Sequence, residues 1–220
     1  MKSHLKVLAL FLSVVCALGA FSACGALQKP TDAEMRAEIE KLLPSAYKAA
    51  CILYGEGLPP DESFEIDPTW TIAHYAPVSE NAEYRGPEEV WKLFITTFSK
   101  SMALEMFEAA FEGTEDMRPR YGTDKGKYTR AQALAVYKYL TGESREAPEP
   151  FEGKLTVNVS TGMLYEPKAV FYTETVRVLK GTSAACYVEI EYSVDGAARM
   201  KATLKMVKEH GKWLFDENVY

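Results

Sequence analysis

Two histidines, a group of tyrosines and one tryptophan are the side chains of this 220-residue chain best suited to do chemistry. His74 stands beside Tyr75 in Trp70–Val78, a stretch of strand-like composition. An imidazole titrates near neutrality and a phenol can donate to a developing oxyanion, the two groups an acid–base site needs. The same pair equally fits an edge-strand histidine bonded to backbone or water. Tyr172, Glu174 and Tyr192 share even parity on strand-like segments, and Trp213 shares a face with Phe215. His74, Tyr75, Tyr172, Tyr192 and Trp213 are therefore the candidate lining of a pocket. His210 sits in a turn, Glu209-His210-Gly211-Lys212, and is expected in solvent. Arg118 and Arg120 either receive an anion or belong to a solvated loop. Cys51 and Cys186 either form one disulfide or are two small buried side chains. No His, Cys or carboxylate cluster has metal-ligand spacing, and no Gly-rich phosphate loop or G-x-S-x-G is present. No metal, no cofactor and no catalytic residue is assigned, and the reading favours binding over catalysis.

These side chains need elements to position them. In Cys186–Val194 the even positions are Cys, Val, Ile, Tyr and Val, and the odd ones Tyr, Glu, Glu and Ser. Successive strand side chains point to opposite faces, so this segment has one apolar and one wet face. Asp195-Gly196 supplies a hairpin turn. Met200, Ala202, Leu204 and Met206 then alternate with Lys201, Thr203 and Lys205. A second turn at 209–212 leads to Trp213 and Phe215. Upstream, Val170–Leu179 is β-branched and aromatic, and Leu155, Val157 and Val159 suggest a first strand of the same sheet. Short connections predict an antiparallel meander whose apolar face must be covered. Glu189 and Glu191 should face Arg199, Lys201 and Lys205 across the wet face.

The covering helices come earlier. Thr31-Asp32-Ala33-Glu34 has capping-box form, and Ile39, Leu42, Leu43, Ala46, Ala50 and Leu53 follow at helical spacing. Pro44 is expected to bend or break this helix near residues 40–43, and Gly55, Gly57 and Pro59-Pro60 end it. Asp61–Pro68 is an acidic loop. A second helix opens at Gly86-Pro87-Glu88-Glu89, is interrupted at Ser99-Lys100-Ser101 and ends at Gly113. Thr129-Arg130-Ala131-Gln132 opens a third, and residues 115–150 around it are expected as a helical insertion.

The N-terminus carries a separate signal. Lys2 and Lys6 precede an apolar run, Val7–Ala20, too short for a comfortable bilayer span, and then Phe21-Ser22-Ala23-Cys24-Gly25. Ser22-Ala23-Cys24 resembles the lipobox of bacterial lipoproteins, though Phe21 stands where leucine is usual. That resemblance implies cleavage after residue 23, lipidation of Cys24 and a location on the outer face of the cell membrane, with residues 24–30 as tether and 31–220 as the folded domain. The whole chain carries a formal charge of −6, and losing residues 1–23 removes Lys2, Lys6 and no acid, which leaves −8. Such a balance argues against a nucleic-acid partner.

Helices followed by a curved antiparallel sheet ending in Gly211-Lys212-Trp213, with Phe98–Ser101 and Gly162–Tyr165, resemble the NTF2-like superfamily, a cone-shaped (cystatin-like) α+β fold. The resemblance implies N-terminal helices packed on a curved C-terminal antiparallel sheet and a pocket between first helix and sheet. The proline-containing first helix running into Gly55–Pro59 is more faintly similar to exported proteins of Gram-positive bacteria near the cell-wall endopeptidase inhibitor IseA. The expected function is a membrane-anchored binding domain for a small ligand or an envelope-protein partner. One alternative is an inhibitor of a cell-wall hydrolase that uses the Asp61–Asp67 loop. Another is a small-molecule isomerase or lyase that uses the cone.

Overall fold

The computed structural model describes residues 28–65, 74–113, 118–160 and 168–220. It is an α+β protein in which, among the described residues, four helices pack against two antiparallel sheets. Helix α1 (Asp32–Tyr54) starts at the predicted capping box: the Thr31 side chain accepts from the Glu34 amide, and the Glu34 carboxylate accepts from the Thr31 amide. Pro44 does not break it. Met35, Ile39 and Leu42 before the proline, and Ala46, Ala49, Ile52 and Leu53 after it, are buried in one core. Tertiary packing on both sides of the lost backbone donor holds the helix continuous.

Helix α2 (Pro87–Thr97) and helix α3 (Lys100–Phe107) meet at Ser99, whose hydroxyl caps α3 by accepting from the Met102 amide. A π-helical turn, Glu108–Glu112, extends α3 to Gly113. Helix α4 (Arg130–Thr141) stops at Gly142, in the left-handed region with φ +79°. Helix α4, in the segment expected as an insertion, packs on the core: Ala133, Val136 and Tyr137 are buried, and the Trp91 indole donates to the Ala133 carbonyl at 2.7 Å.

The larger sheet is the predicted meander, β4 (Ala169–Gly181), β5 (Ala185–Val194), β6 (Met200–Glu209) and β7 (Lys212–Phe215). Asp195 and Gly196, then His210 and Gly211, all take positive φ, as tight hairpins between right-twisted strands demand. Leu204 is 3% and Trp213 7% exposed, on the apolar face as expected; Met200, at the strand's first position, is 44% exposed. On the wet face Lys201 reaches Glu189 at 2.8 Å and Arg199 reaches Glu191 at 3.3 Å.

Two expectations need correction. Leu155–Asn158 does not lead the large sheet. It is β3, the centre of a separate three-stranded sheet between β1 (Tyr75–Pro77) and β2 (Tyr121–Thr123). All four β3 residues are buried. Pro77 lies on the edge strand, where a missing amide costs no ladder bond. Tyr172 also leaves its predicted face. Four β4 residues, 173–176, oppose the single residue Ile190, and Leu179 is a further extra residue. The first bulge reverses parity, so Phe171, not Tyr172, pairs with Tyr192. Thr175 fills the gap: its hydroxyl donates to the Tyr172 carbonyl at 2.7 Å and accepts from the Glu191 amide at 2.8 Å.

The other sheet edge is closed by the α2–α3 junction. The Ser99 amide donates to the Phe215 carbonyl at 2.7 Å, and Asp216 accepts from the hydroxyls of buried Ser99 and of Ser101 while pairing with Lys205 at 2.5 Å. Burial works to raise the Asp216 pKa, but the bonds from Lys205 and Ser99 outweigh it and hold the carboxyl below its ordinary 3.8. A depressed carboxyl adds stability above its unfolded pKa and loses it as pH falls through the lower folded value. Asp216→Asn is expected to cost about 1–3 kcal/mol at pH 7. Urea unfolding at pH 7 and near pH 3 checks it: the gap between native protein and variant should shrink at the lower pH.

Candidate functional site

The aromatic-lined cavity of the described residues does not lie where the sheet and first helix meet. That space is filled: Met35, Ile39 and Leu42 of α1 share one buried cluster with Val176, Val188, Ile190, Leu204 and Met206 of the sheet. Its far end is closed by stacked rings, with Phe171 on Tyr192 at 5.7 Å and Tyr220 edge-on to both Phe171 and Tyr47. Burial pushes the Tyr220 phenol up to about 12. Cavities lined by described residues open elsewhere.

The one with the strongest case as a site is a cleft of about 570 Å³ on the three-stranded sheet. Tyr75 of β1, Tyr121–Thr123 of β2 and Thr156 of β3 contribute from the sheet. Phe111 of the π-helical turn, Tyr128 and Phe64 of the acidic loop complete its apolar walls, and Asp124 and Lys127 add one charge of each sign. Offset and edge-on ring contacts fix the aromatic residues: Phe111 lies 6.2 Å from Tyr121 and 5.8 Å from Tyr128, and Tyr128 5.4 Å from Phe151. Gly122 leaves room at the back of the cleft, since a Cβ there would stand 3.0 Å from the Thr156 hydroxyl and 3.3 Å from the Tyr75 ring and would push on both side chains.

The polar groups of this cleft are mostly committed to the fold. The Tyr75 hydroxyl donates to the Pro119 carbonyl at 2.8 Å, and burial raises its pKa. The Tyr121 hydroxyl donates to the Ile52 carbonyl at 2.7 Å and accepts from the Leu58 amide at 3.1 Å. Burial pushes it up to about 12. Asp124 accepts from the Lys154 amide. Burial also raises the Tyr128 phenol. The Tyr75 and Tyr121 hydroxyls are bonded, and the buried Tyr128 hydroxyl has no partner among the described residues; all three phenols, kept neutral by burial, make walls, not proton carriers, at physiological pH.

The cleft is tied to α1 by Arg120. Its guanidinium, almost fully buried, donates to the Gly55 carbonyl at 2.8 Å, where a cation meets the negative end of the helix dipole. Gly57, at φ +77°, makes room: a Cβ there would come within 2.6 Å of the guanidinium. Arg120 is thus neither an anion receptor nor part of a solvated loop, but a cap.

The remaining sequence candidates fall as follows. Of the five expected pocket residues, only Tyr75 lines one of the described cavities. His74 extends the β1 ladder through its backbone, with its amide donating to the Ser160 hydroxyl and its carbonyl accepting from Val159. Tyr172 lies on the outer face under the Arg199 guanidinium, 3.6 Å from its ring centre, and pairs with the Ser193 hydroxyl. Tyr192 stacks on Phe171, and Trp213 is buried beneath Lys208. Cys51 and Cys186 are free thiols, and burial pushes Cys186 up to about 11. Cys24 and residues 66–73 of the acidic loop and following strand lie outside the described residues, as does Gly162–Tyr165.

Sequence reasoning missed a second polar cluster. His210 contacts the Tyr137 hydroxyl at 3.1 Å and the Glu143 carboxylate at 3.4 Å, at the edge of a cavity of about 160 Å³. It is exposed, as expected, and is at the same time bonded to α4 through Tyr137. Only the long-range packing of α4 brings Tyr137 to it, so no local signal could have found it. Phe64, Phe111, Tyr121 and Tyr128 were also unassigned; aromatic residues recurring in a polar, Gly-containing stretch were the available signal. Among the described residues no group of three metal-ligating side chains converges, and no helix is long and apolar enough to cross a membrane. No protein-family model matches the chain, and no curated protein matches it significantly.

Tyr121→Phe keeps the ring but strands the Leu58 amide and the Ile52 carbonyl. It is expected to lower unfolding free energy by about 1–3 kcal/mol. Denaturant titration checks it, and a loss below a few tenths of a kcal/mol would show that the link between cleft and α1 is weak.

Proposed function

We propose that this chain is a lipid-anchored protein of the outer membrane face whose NTF2-like domain binds a ligand in the aromatic cleft of its smaller sheet and does not catalyse a reaction. The observation that carries the binding reading is the cleft itself: five aromatic side chains surround about 570 Å³ while Tyr75, Tyr121 and Asp124 spend their polar atoms on backbone. Such walls favour a planar, largely apolar ligand held by stacking and burial. The small mixed charge of Asp124 and Lys127 would orient its polar end. The anchor reading is supported by Ser22-Ala23-Cys24 after an apolar run, and the outer location follows from it.

Inhibition of a cell-wall hydrolase is the second reading, favoured by one feature. Asp61 holds its loop in a tight turn, accepting from the Ser63 amide and hydroxyl, and leaves Glu62 and Glu65 exposed beside Phe64. An acidic, aromatic-bearing turn could enter a partner's cleft. In that case Phe64 would have to swing out of its own.

The probe 8-anilinonaphthalene-1-sulfonate separates the two. It should fluoresce on binding the native protein, and Phe64→Ala, which removes one wall, should weaken that binding about tenfold, as losing a stacked ring contributes roughly 1–1.5 kcal/mol. Circular dichroism should show unchanged secondary structure. Equal probe binding by native protein and variant would exclude this cleft as the site.

A further inference from the structure

We infer that the end of the domain formed by the start of α1 and the β4–β5 hairpin rests on the membrane itself, as a docking surface for anionic phospholipid headgroups. The inference rests on the lipid-anchor reading of Cys24 and goes beyond it by fixing which face meets the bilayer. Lys29 and Pro30 are already seated on the domain: Pro30 is buried, and the Lys29 ammonium donates to the Val178 carbonyl at 3.1 Å. Only five residue steps separate Cys24 from Lys29, a reach of at most roughly 17 Å. The domain therefore cannot roam; the surface around Val178 stays within that reach plus the length of the Lys29 side chain.

What surrounds it fits a headgroup layer. Leu179, the extra residue of the second bulge, is 50% exposed, and Tyr187 across the hairpin is 36% exposed. The Lys180 ammonium lies 4.5 Å over the Tyr187 ring. On the opposite side of the same sheet end, the Lys208 ammonium lies 5.6 Å from the Trp213 ring, and its backbone amide donates to the Ala184 carbonyl of the hairpin turn. Lys208 is also close enough to Glu34, in the first turn of α1, to help lower its pKa, after the larger effect of the bonds from Thr31. Lys29, Lys180 and Lys208 thus gather around one tip of an otherwise acidic protein. Acids are present there as well, with their carboxylates engaged: exposed Asp32 accepts from the Val178 amide, exposed Glu34 from Thr31, and half-buried Glu209 from the Lys100 amide. Aromatic rings with lysines snorkelling over them, next to an exposed leucine, are the side chains an interfacial layer accommodates.

Charge asymmetry favours one orientation. Glu56, Asp61, Glu62 and Glu65 lie just beyond the far end of α1. Against an anionic bilayer the basic tip is drawn in and the acidic end pushed away, over a range set by screening of about 8–10 Å. The 23-residue helix α1 then places the aromatic cleft, bonded to its last turn through Tyr121, about 34 Å from the tip.

The test is amine-labelling mass spectrometry on the purified lipoprotein, reconstituted in vesicles of phosphatidylcholine alone or with about a third phosphatidylglycerol. Lys180 and Lys208 should label at least about threefold more slowly on the anionic vesicles, with the difference removed by high salt, while Lys125 and Lys127 beside the cleft keep their rates. In the charge-reversed variant Lys180→Glu/Lys208→Glu, Lys29 should label equally fast on both vesicles. The mass of the N-terminal peptide reports the lipid on Cys24 independently. A peptide without lipid would remove the anchor reading and this inference together. A lipidated protein whose lysines label alike on both vesicles, or whose Lys125 and Lys127 are the protected ones, would overturn this inference alone.

Discussion

The contact on which the rest of the structure depends is that of α1 along the bulged edge of β4. Four side chains of the helix and the residues before it reach the strand's backbone or hydroxyls. Lys29 and Asp32 take the carbonyl and amide of Val178, Arg36 takes the Glu174 carbonyl at 2.9 Å, and Glu40 accepts from the Thr173 hydroxyl at 2.8 Å. An open strand edge invites pairing with other chains, and here the helix occupies it. The bulge is what makes the contact fit. Extra residues bend and twist the strand, so its edge follows the helix and its apolar face closes beneath Met35 and Ile39.

Closing the sheet this tightly has a consequence for function. A curved sheet with a helix across it can enclose a pocket, but here valine, isoleucine and methionine side chains fill the interior, and the ring stack of Tyr47, Tyr220, Phe171 and Tyr192 fills the far end. The space a ligand could use is displaced to the second sheet. That sheet is small, and two or three short strands are marginal alone. It is held by being nailed to the last turn of α1, where Arg120 and Tyr121 take the Gly55 and Ile52 carbonyls. The same helix therefore organises both sheets, one along its first half and one at its end.

What could be read in the sequence was whatever is encoded locally. Capping boxes at Thr31 and Thr129, the proline at the start of α2, the alternation of Cys186–Tyr192 and the two positive-φ turns all act within a few residues, and each element begins or turns where those residues say. Leu155–Asn158 was recognisable as a strand but not assignable to a sheet, because its partners Tyr75 and Tyr121 lie far away in the chain and pair for tertiary reasons. The β4 bulge was invisible: parity counting assumes an unbroken ladder, and Thr173–Val176 looks like ordinary strand. That one irregularity carried Tyr172 to the wrong face. For the site, Tyr75 was legible because it sits in a strand with a hydroxyl that needs a partner. Arg120 was misread because a basic pair flanking a proline has the composition of a loop, and nothing local reveals the helix end it caps. The burial of Cys186 followed from alternation, whereas the company of His210 did not.

The division of labour along α1 also explains why its proline is tolerated and its length matters. Residues before Pro44 bind the edge of the large sheet, and residues after it carry the turn that holds the small one. A break at Pro44 would uncouple the two sheets, yet burial on both sides makes separate motion of the halves costly, since each would expose part of one shared core. A rod continuous through the proline transmits the position of its first turn to its last. On the proposed arrangement, a membrane contact at Lys29 and Lys180 and a binding cleft at Tyr121 are the two ends of that rod, so an anchor of a few residues suffices to hold the cleft at a fixed height above the lipid.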